Sequence, residues 1–214
     1  NVAKRPGINA LRAVAGISRQ PVNAEDVAYR LVQSLNAAGR MDHASQALTL
    51  LTTQDTVEAN QLAQTLNELN LRRRELEQSI LNAILADLKR RPHLLAAHTL
   101  VRWNPGWHLG VLGIVASRMV DIYYCPVVLI AVQHEVGKGS ARSIPGIDLY
   151  QALEACRHCL EDFGGHAMAA GLTIKAENLI EFQHMFENAV ARMAQSDDRT
   201  PRLTVDSEIH FDDI

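Results

Sequence analysis

The residue types that can do chemistry fall into a few short stretches. The richest is Phe163-Gly164-Gly165-His166-Ala167-Met168-Ala169-Ala170-Gly171. Paired glycines let a backbone approach a ligand and turn its N–H groups outward, and a helical turn after them would add free N–H groups. That makes a candidate anion site. His166 could donate to a phosphate oxygen or serve as an acid, while Ala169, Ala170 and Gly171 allow close packing behind the loop. A simple tight turn fits the same residues. The second stretch is Gly137-Lys138-Gly139-Ser140-Ala141-Arg142-Ser143. On a strand, Ser140 and Arg142 share a face, and a hydroxyl beside a guanidinium suits a phosphate. A Gly-rich hairpin with solvated ends fits it equally well.

Other stretches point less sharply. Asp42-His43, in Asn36-Ala37-Ala38-Gly39-Arg40-Met41-Asp42-His43, looks like part of a metal site. No acid or histidine cluster accompanies it, so Asp42 reads as a cap for the next helix. Trp107-His108 could stack on a base, but Trp107 stapling a helix start to the core is the simpler reading. The three cysteines, Cys125, Cys156 and Cys159, make no disulfide framework and suggest a reducing, cytoplasmic setting. Cys156 and Cys159 have C-x-x-C spacing without the second pair a zinc site would need, and they fall in a helical pattern. No metal ligands are therefore assigned. Phosphoryl hydrolysis needs several carboxylates or histidines converging on metal ions, and no segment offers such a set. Walker, G-x-S-x-G, H-E-x-x-H and Rossmann signatures are absent.

The elements that must position these residues follow from periodicity and punctuation. Residues 1–52 read as short helices: Pro6-Gly7 precedes one, Asn23 with Asp26 caps another, and Gly39 breaks it. Asp55 with Glu58 predicts a capping box opening one long helix, whose apolar residues run from Leu62 to Leu88 until Pro92 stops it. Its Arg72-Arg73-Arg74 run reads as a solvated face. From 93 to 195 strands and helices alternate, as in a layered α/β sheet. Strands are expected at 94–102, 126–132, 137–142 and 170–174, and helices at 111–123, from Asp148, and at 179–193. Leu203 to Ile209 alternates like one more strand after a polar linker.

The chain has 214 residues, 47% of them hydrophobic and 21% charged, which excludes a disordered or fibrous protein. Its net charge of −3 excludes bulk electrostatic coating of nucleic acid but not a local basic site. Arg outnumbers Lys, 17 to 4, which suits planar recognition of phosphate or carboxylate, and codon bias accounts for it equally well. No apolar run is long enough to span a bilayer. The first residue is Asn1, so the chain reads as a piece of something longer.

Four ordered motifs carry a resemblance: Leu35-Asn36-Ala37-Ala38-Gly39-Arg40, Trp107 to Arg118, Gly139 to Ser143, and Phe163 to Gly171. Together with the long helix they resemble RecJ, the bacterial single-strand-specific 5′→3′ DNA exonucleases of the DHH phosphoesterase superfamily. The resemblance implies an α/β fold in four parts. These are the helical tail of a DHH domain over 1–54, a connecting helix over 55–92, a substrate-binding DHH-associated domain with a mixed sheet over 93–196, and a linker with the first strand of an OB-fold over 197–214. It implies that Arg40, Ser140 and Arg142 hold the 5′-terminal phosphate of single-stranded DNA. Gly164, Gly165 and His166 would cradle a phosphate near the metals, with His166 catalytic. The Mn²⁺ or Mg²⁺ ions would belong to a DHH domain whose motifs this sequence lacks, leaving the chain itself inactive. Replication or repair proteins are implied as partners of the whole enzyme, in DNA repair and recombination, and no membrane is. Related classes remain open: a DHH-family oligonucleotide or cyclic-dinucleotide phosphodiesterase, or a non-catalytic nucleic-acid-binding module.

Overall fold

The structure is a computed structural model that describes residues 5–17, 21–194, 200–201 and 205–210. It resolves into two compact units. One is the chain up to Asp87 together with Trp107–Val115; the other is Leu88–Gly106 together with Ala116 onward.

The first unit is helical. Helix α1 is Pro6–Val14, α2 is Ala24–Asp26, a π-helical turn covers Val27–Leu31, α3 is Val32–Met41 and α4 is Ser45–Thr52. Leu11, Ile17, Leu31, Leu50 and Leu66 form the core, with alanines at the closest approaches. The Asn23 side chain accepts from Asp26 N at 2.8 Å while Asp26 accepts from Asn23 N, the expected cap. Helix α5, Thr56–Arg90, has 35 residues and is about 52 Å long. Asp55 Oδ1 caps it, accepting from Val57 N at 2.7 Å and Glu58 N at 3.3 Å. The box itself is only half formed, because Glu58 accepts the Thr53 hydroxyl and Thr53 Oγ1 accepts from Asp55 N. Arg73 departs from the solvated face its neighbours suggested. It is buried, donating to Glu77 Oε2 at 2.9 Å and Asn70 Oδ1 at 3.1 and 3.2 Å. Burial, then the neighbouring Arg74 and Arg40 charges, lower its pKa against the pull of Glu77. A buried guanidinium needs such partners.

The second unit is a five-stranded mixed sheet with helices. Its strands are β1 Leu100–Asn104, β2 Val127–Gln133, β3 Val136–Arg142, β4 Leu160–His166 and β5 Ala169–Lys175, in the order β1-β2-β3-β5-β4. Only β1 and β2 are parallel, and α6, Leu109–Tyr123, lies between them in the chain. One face carries Val101, Val128, Ile130, Ala141, Leu172 and Ile174. These pack with Leu149 and Leu153 of α7 (Leu149–Glu154) and with Leu179, Phe182, Phe186 and Val190 of α8 (Leu179–Met193). A Cβ on Gly137 would meet Ile130 and Ile174 at 2.7 and 2.9 Å, and one on Gly139 would push on Ile130 and Leu172 at 3.0–3.1 Å, so glycine keeps this face close-packed.

Four expectations are corrected. Gly39 does not break its helix, since α3 runs through it to Met41. The residues after the long helix start with a 3₁₀ turn, Pro92–Ala96, and the strand begins only at Leu100. Proline opens such a turn readily, and the apolar Leu94 and Leu95 hid it. The C-x-x-C residues lie beyond α7, with a short 3₁₀ helix at Arg157–Cys159. Val205–His210 is exposed and forms no strand, while 202–204 lie outside the described residues. A strand forms only where its N–H and C=O groups find a partner. Among the described residues no helix is long and apolar enough to cross a membrane.

Candidate nucleic-acid interface

The face of the sheet opposite the α7–α8 core carries the candidate residues. In antiparallel pairs, opposed residues point to the same side, so register alone sets out three rows across β3, β5 and β4. Arg142, Ala169 and His166 form the first, Ser140, Gly171 and Gly164 the second, and Lys138, Thr173 and Asp162 the third. Rows are spaced by two residues, about 7 Å, and β3 to β4 spans about 9.6 Å. The middle row has no side chain beyond the Ser140 hydroxyl. Gly164 and Gly171 are exposed, and a Cβ on Gly164 would meet nothing within 4 Å. The result is a shallow trough with a bare backbone floor, a cation at Arg142 and an imidazole at His166 on one wall, and the Lys138 ammonium with the exposed Asp162 carboxylate on the other.

The Gly-Gly-His stretch is therefore the end of an edge strand. It is not a loop leading into a helical turn, which corrects the expected anion nest. After His166 the chain reverses through Ala167-Met168 and pairs again at Ala169. That turn is pinned from outside: Leu149 N donates to Ala167 O at 2.9 Å and Ser143 N to Met168 O at 3.1 Å. Gly165 has φ +149°, and a Cβ there would lie 2.4 Å from Ala169 O and 2.5 Å from Ala170 Cα. Gly165 thus serves the backbone, whereas Gly164 leaves space for a ligand. Arg142 donates from Nη1 to Ala141 O at 2.7 Å, which fixes its stem against β3. Ser143, next in sequence, is structural: buried, its hydroxyl donates to Ile147 O at 2.8 Å.

A model of the DHHA1 domain matches residues 95–192, the span of this sheet and its helices. Residues 95–192 are a DHHA1 domain. The chain is 34% identical over 212 residues to the single-stranded-DNA-specific exonuclease RecJ of Bacillus subtilis, an alignment covering 98% of this chain and 27% of that protein. A crystal structure of exonuclease RecJ bound to manganese superposes with a TM-score of 0.80 at 34% identity, covering 90% of this chain and 47% of that one. RecJ from Thermus thermophilus in complex with Mg²⁺ superposes with a TM-score of 0.75 at 34% identity, covering 88% and 29%. The chain is thus a homologue of the RecJ exonucleases and spans under half the length of each of these relatives.

Within the DHHA1 domain, the sequence reading passed over two cationic residues. Lys138 is exposed at the third row of the trough. Arg102 of β1 lies in the register row of Leu129 and Ser140, two strands from Ser140. It looked like the polar end of an apolar run, and only the strand order reveals that it shares the Ser140 face. Arg40 lies outside the DHHA1 domain, in the last turn of α3 in the helical unit. Its carbonyl stands where a Cβ on Gly110 would come within 2.0 Å, so Gly110 is what lets α6 start there. His108 caps α6, its Nδ1 accepting from Gly110 N at 3.2 Å, and Trp107 is buried. Neither is a base-stacking platform. Asp42 caps no helix, since its carboxylate accepts from Gln46 Nε2 at 2.7 Å.

Proposed function

We propose that this chain is the DNA-holding part of a RecJ-like exonuclease that degrades single-stranded DNA from the 5′ end in repair and recombination. The observation that carries this reading is the bare Ser140–Gly171–Gly164 row between Arg142 and His166 on one side and Lys138 on the other. A phosphodiester backbone is itself a repeating anion. It can lie against exposed peptide units only where no side chain intervenes, with cations set along its track. Arg142 and Ser140 give a guanidinium and a hydroxyl for the 5′-terminal phosphate. Gly164 lets a phosphate approach the β4 backbone, Gly165 holds the chain reversal beside it, and His166 donates to a phosphate oxygen as charge builds there.

Manganese and magnesium named with the relatives supply the hydrolytic chemistry in this reading. The residues described here do not fit those ions. Their one grouping of potential ligands is His158, Cys159 and Glu181, and a sulfur donor does not suit hard, oxygen-preferring cations. This chain's part is therefore to bind and orient DNA and to select its end.

The test is a fluorescence titration with single-stranded DNA carrying a 5′-phosphate or a 5′-hydroxyl. The chain should favour the phosphate, and Arg142→Ala should weaken its binding by roughly 1.5–3 kcal/mol, about tenfold to a hundredfold. Arg142→Ala should also abolish the preference between ends. Equal affinity before and after the substitution overturns the assignment, and a preference for RNA points instead to a non-catalytic RNA-binding module.

A further inference from the structure

A second set of chemically capable side chains lies away from the trough, where the 3₁₀ helix Arg157–Cys159 meets the first turn of α8. His158, Cys159 and Glu181 each offer one donor atom there, and all three atoms lie within 4.8 Å of one another. His158 Nε2 and Glu181 Oε1 are 3.6 Å apart. Zinc bonds of about 2.0 Å to nitrogen or oxygen and 2.3 Å to sulfur, at tetrahedral angles, require donors about 3.3 Å apart for a nitrogen–oxygen pair and about 3.5 Å apart for a pair with sulfur. The His–Glu pair is within about 0.3 Å of that separation, both side chains are more than half exposed, and the Cys159 sulfur lies within 4.8 Å of both donors.

The backbone carrying these donors is fixed. Asn178 Nδ2, at the start of α8, donates to Cys159 O at 3.1 Å, tying the two elements together at the cluster. Cys159 is buried with Met185 Sδ at 3.8 Å, so its sulfur has an apolar, polarisable wall behind it and the two exposed donors in front. Arg157, next to His158 in the chain, is engaged elsewhere: its Nε pairs with Glu154 at 3.0 Å and its guanidinium lies 5.6 Å from the Phe163 ring centre. Burial, then the Glu181 carboxylate, raise the Cys159 thiol above its ordinary pKa.

We infer that His158, Cys159 and Glu181 form a three-ligand site for a borderline-soft divalent cation, Zn²⁺ above all, which clips the entry to β4 onto α8. The donor set of one nitrogen, one sulfur and one oxygen selects Zn²⁺ over Mg²⁺ or Mn²⁺. Water completes the tetrahedron. On binding, the S–H bond breaks, its proton passes to solvent, and the sulfur's electron pair forms the bond to the metal. The site rests on its own geometry and does not depend on the DNA-binding reading.

Cobalt(II) is the probe, because thiolate coordination gives it a near-ultraviolet charge-transfer band and tetrahedral geometry gives intense visible bands. Titration of the reduced, metal-free chain should show both at one Co²⁺ per chain, reversed by Zn²⁺, and Zn²⁺ should raise the melting temperature. Cys159→Ser should remove the charge-transfer band. Since Cys159 is buried, two surface variants guard against loss of folding: His158→Ala and Glu181→Gln should each weaken Zn²⁺ binding at least about tenfold with the apo melting temperature unchanged. Cys125→Ser should leave every signal in place. Absence of the band in the wild-type chain, or a band retained in Cys159→Ser, overturns the site. Affinity unchanged in both surface variants does so as well.

Discussion

Adjacent glycines in the edge strand have opposite duties. Gly165 sits at φ +149° with the backbone of Ala169 and Ala170 in the way of any Cβ. Gly165→Ala should therefore destabilise the DHHA1 domain by roughly 1–3 kcal/mol, read in a denaturant melt. Gly164 has open space where its Cβ would be. Gly164→Ala should leave the melt unchanged or slightly improved, yet weaken DNA binding about tenfold, because the methyl would stand on the trough floor. Wild-type affinity in that variant would mean that DNA does not approach the backbone there. Lys138 gives a further prediction at this scale. If its ammonium meets a phosphate, Lys138→Ala should weaken binding to all sequences alike and reduce the slope of log affinity against log salt by about 0.7. An unchanged slope would move Lys138 off the DNA path.

The 3₁₀–β1 connection is held to α8 by one carboxylate. Glu187 accepts from His98 N at 2.8 Å, His98 Nδ1 at 3.0 Å, Thr99 N at 2.9 Å and Thr99 Oγ1 at 2.6 Å. Burial alone would raise its pKa; the bonds from Thr99 and His98 outweigh that and hold it below the ordinary carboxyl value. A depressed folded pKa gives stability that is complete above the unfolded value, about 4.3, and is lost as pH falls through the folded one. Glu187→Ala should cost roughly 2–4 kcal/mol at neutral pH and flatten the acid side of the stability curve, measured by denaturant unfolding at stepped pH. A parallel curve in the variant would show that the acid loss arises elsewhere.

Most elements were legible in the sequence because their signals are local. Alternation set out β3, so the shared face of Ser140 and Arg142 was readable. Asn23, Asp55 and Asp148 marked helix starts, and α8 ran over the predicted 179–193. What escaped depends on partners distant in sequence. The Gly-Gly-His stretch became a strand because β5 pairs with it, Arg73 is buried through Glu77 and Asn70, and Arg102 joined the Ser140 face only through the strand order.

At the scale of the whole molecule, charge and chemistry separate. The chain carries a net charge of −3, so long-range attraction does not gather DNA onto it. In the proposed reading affinity comes from the few cations lining the trough, and binding should fall steeply with salt although the chain is acidic overall. Hydrolysis asks for more than an anion track: it needs carboxylates and imidazoles that converge on metal ions and ready a water for attack. Among the described residues, the one grouping of potential ligands includes a buried sulfur and sits at the β4–α8 junction, outside the three rows of the trough. His166 by itself offers a single proton donor without an activated nucleophile. The chain incubated with Mn²⁺ and 5′-labelled single-stranded DNA should therefore retain the DNA in a salt-sensitive complex and leave it uncut. Cleavage that survives His166→Ala and disappears with chelator would place a hydrolytic metal centre within these 214 residues and overturn the division between holding the strand and cutting it.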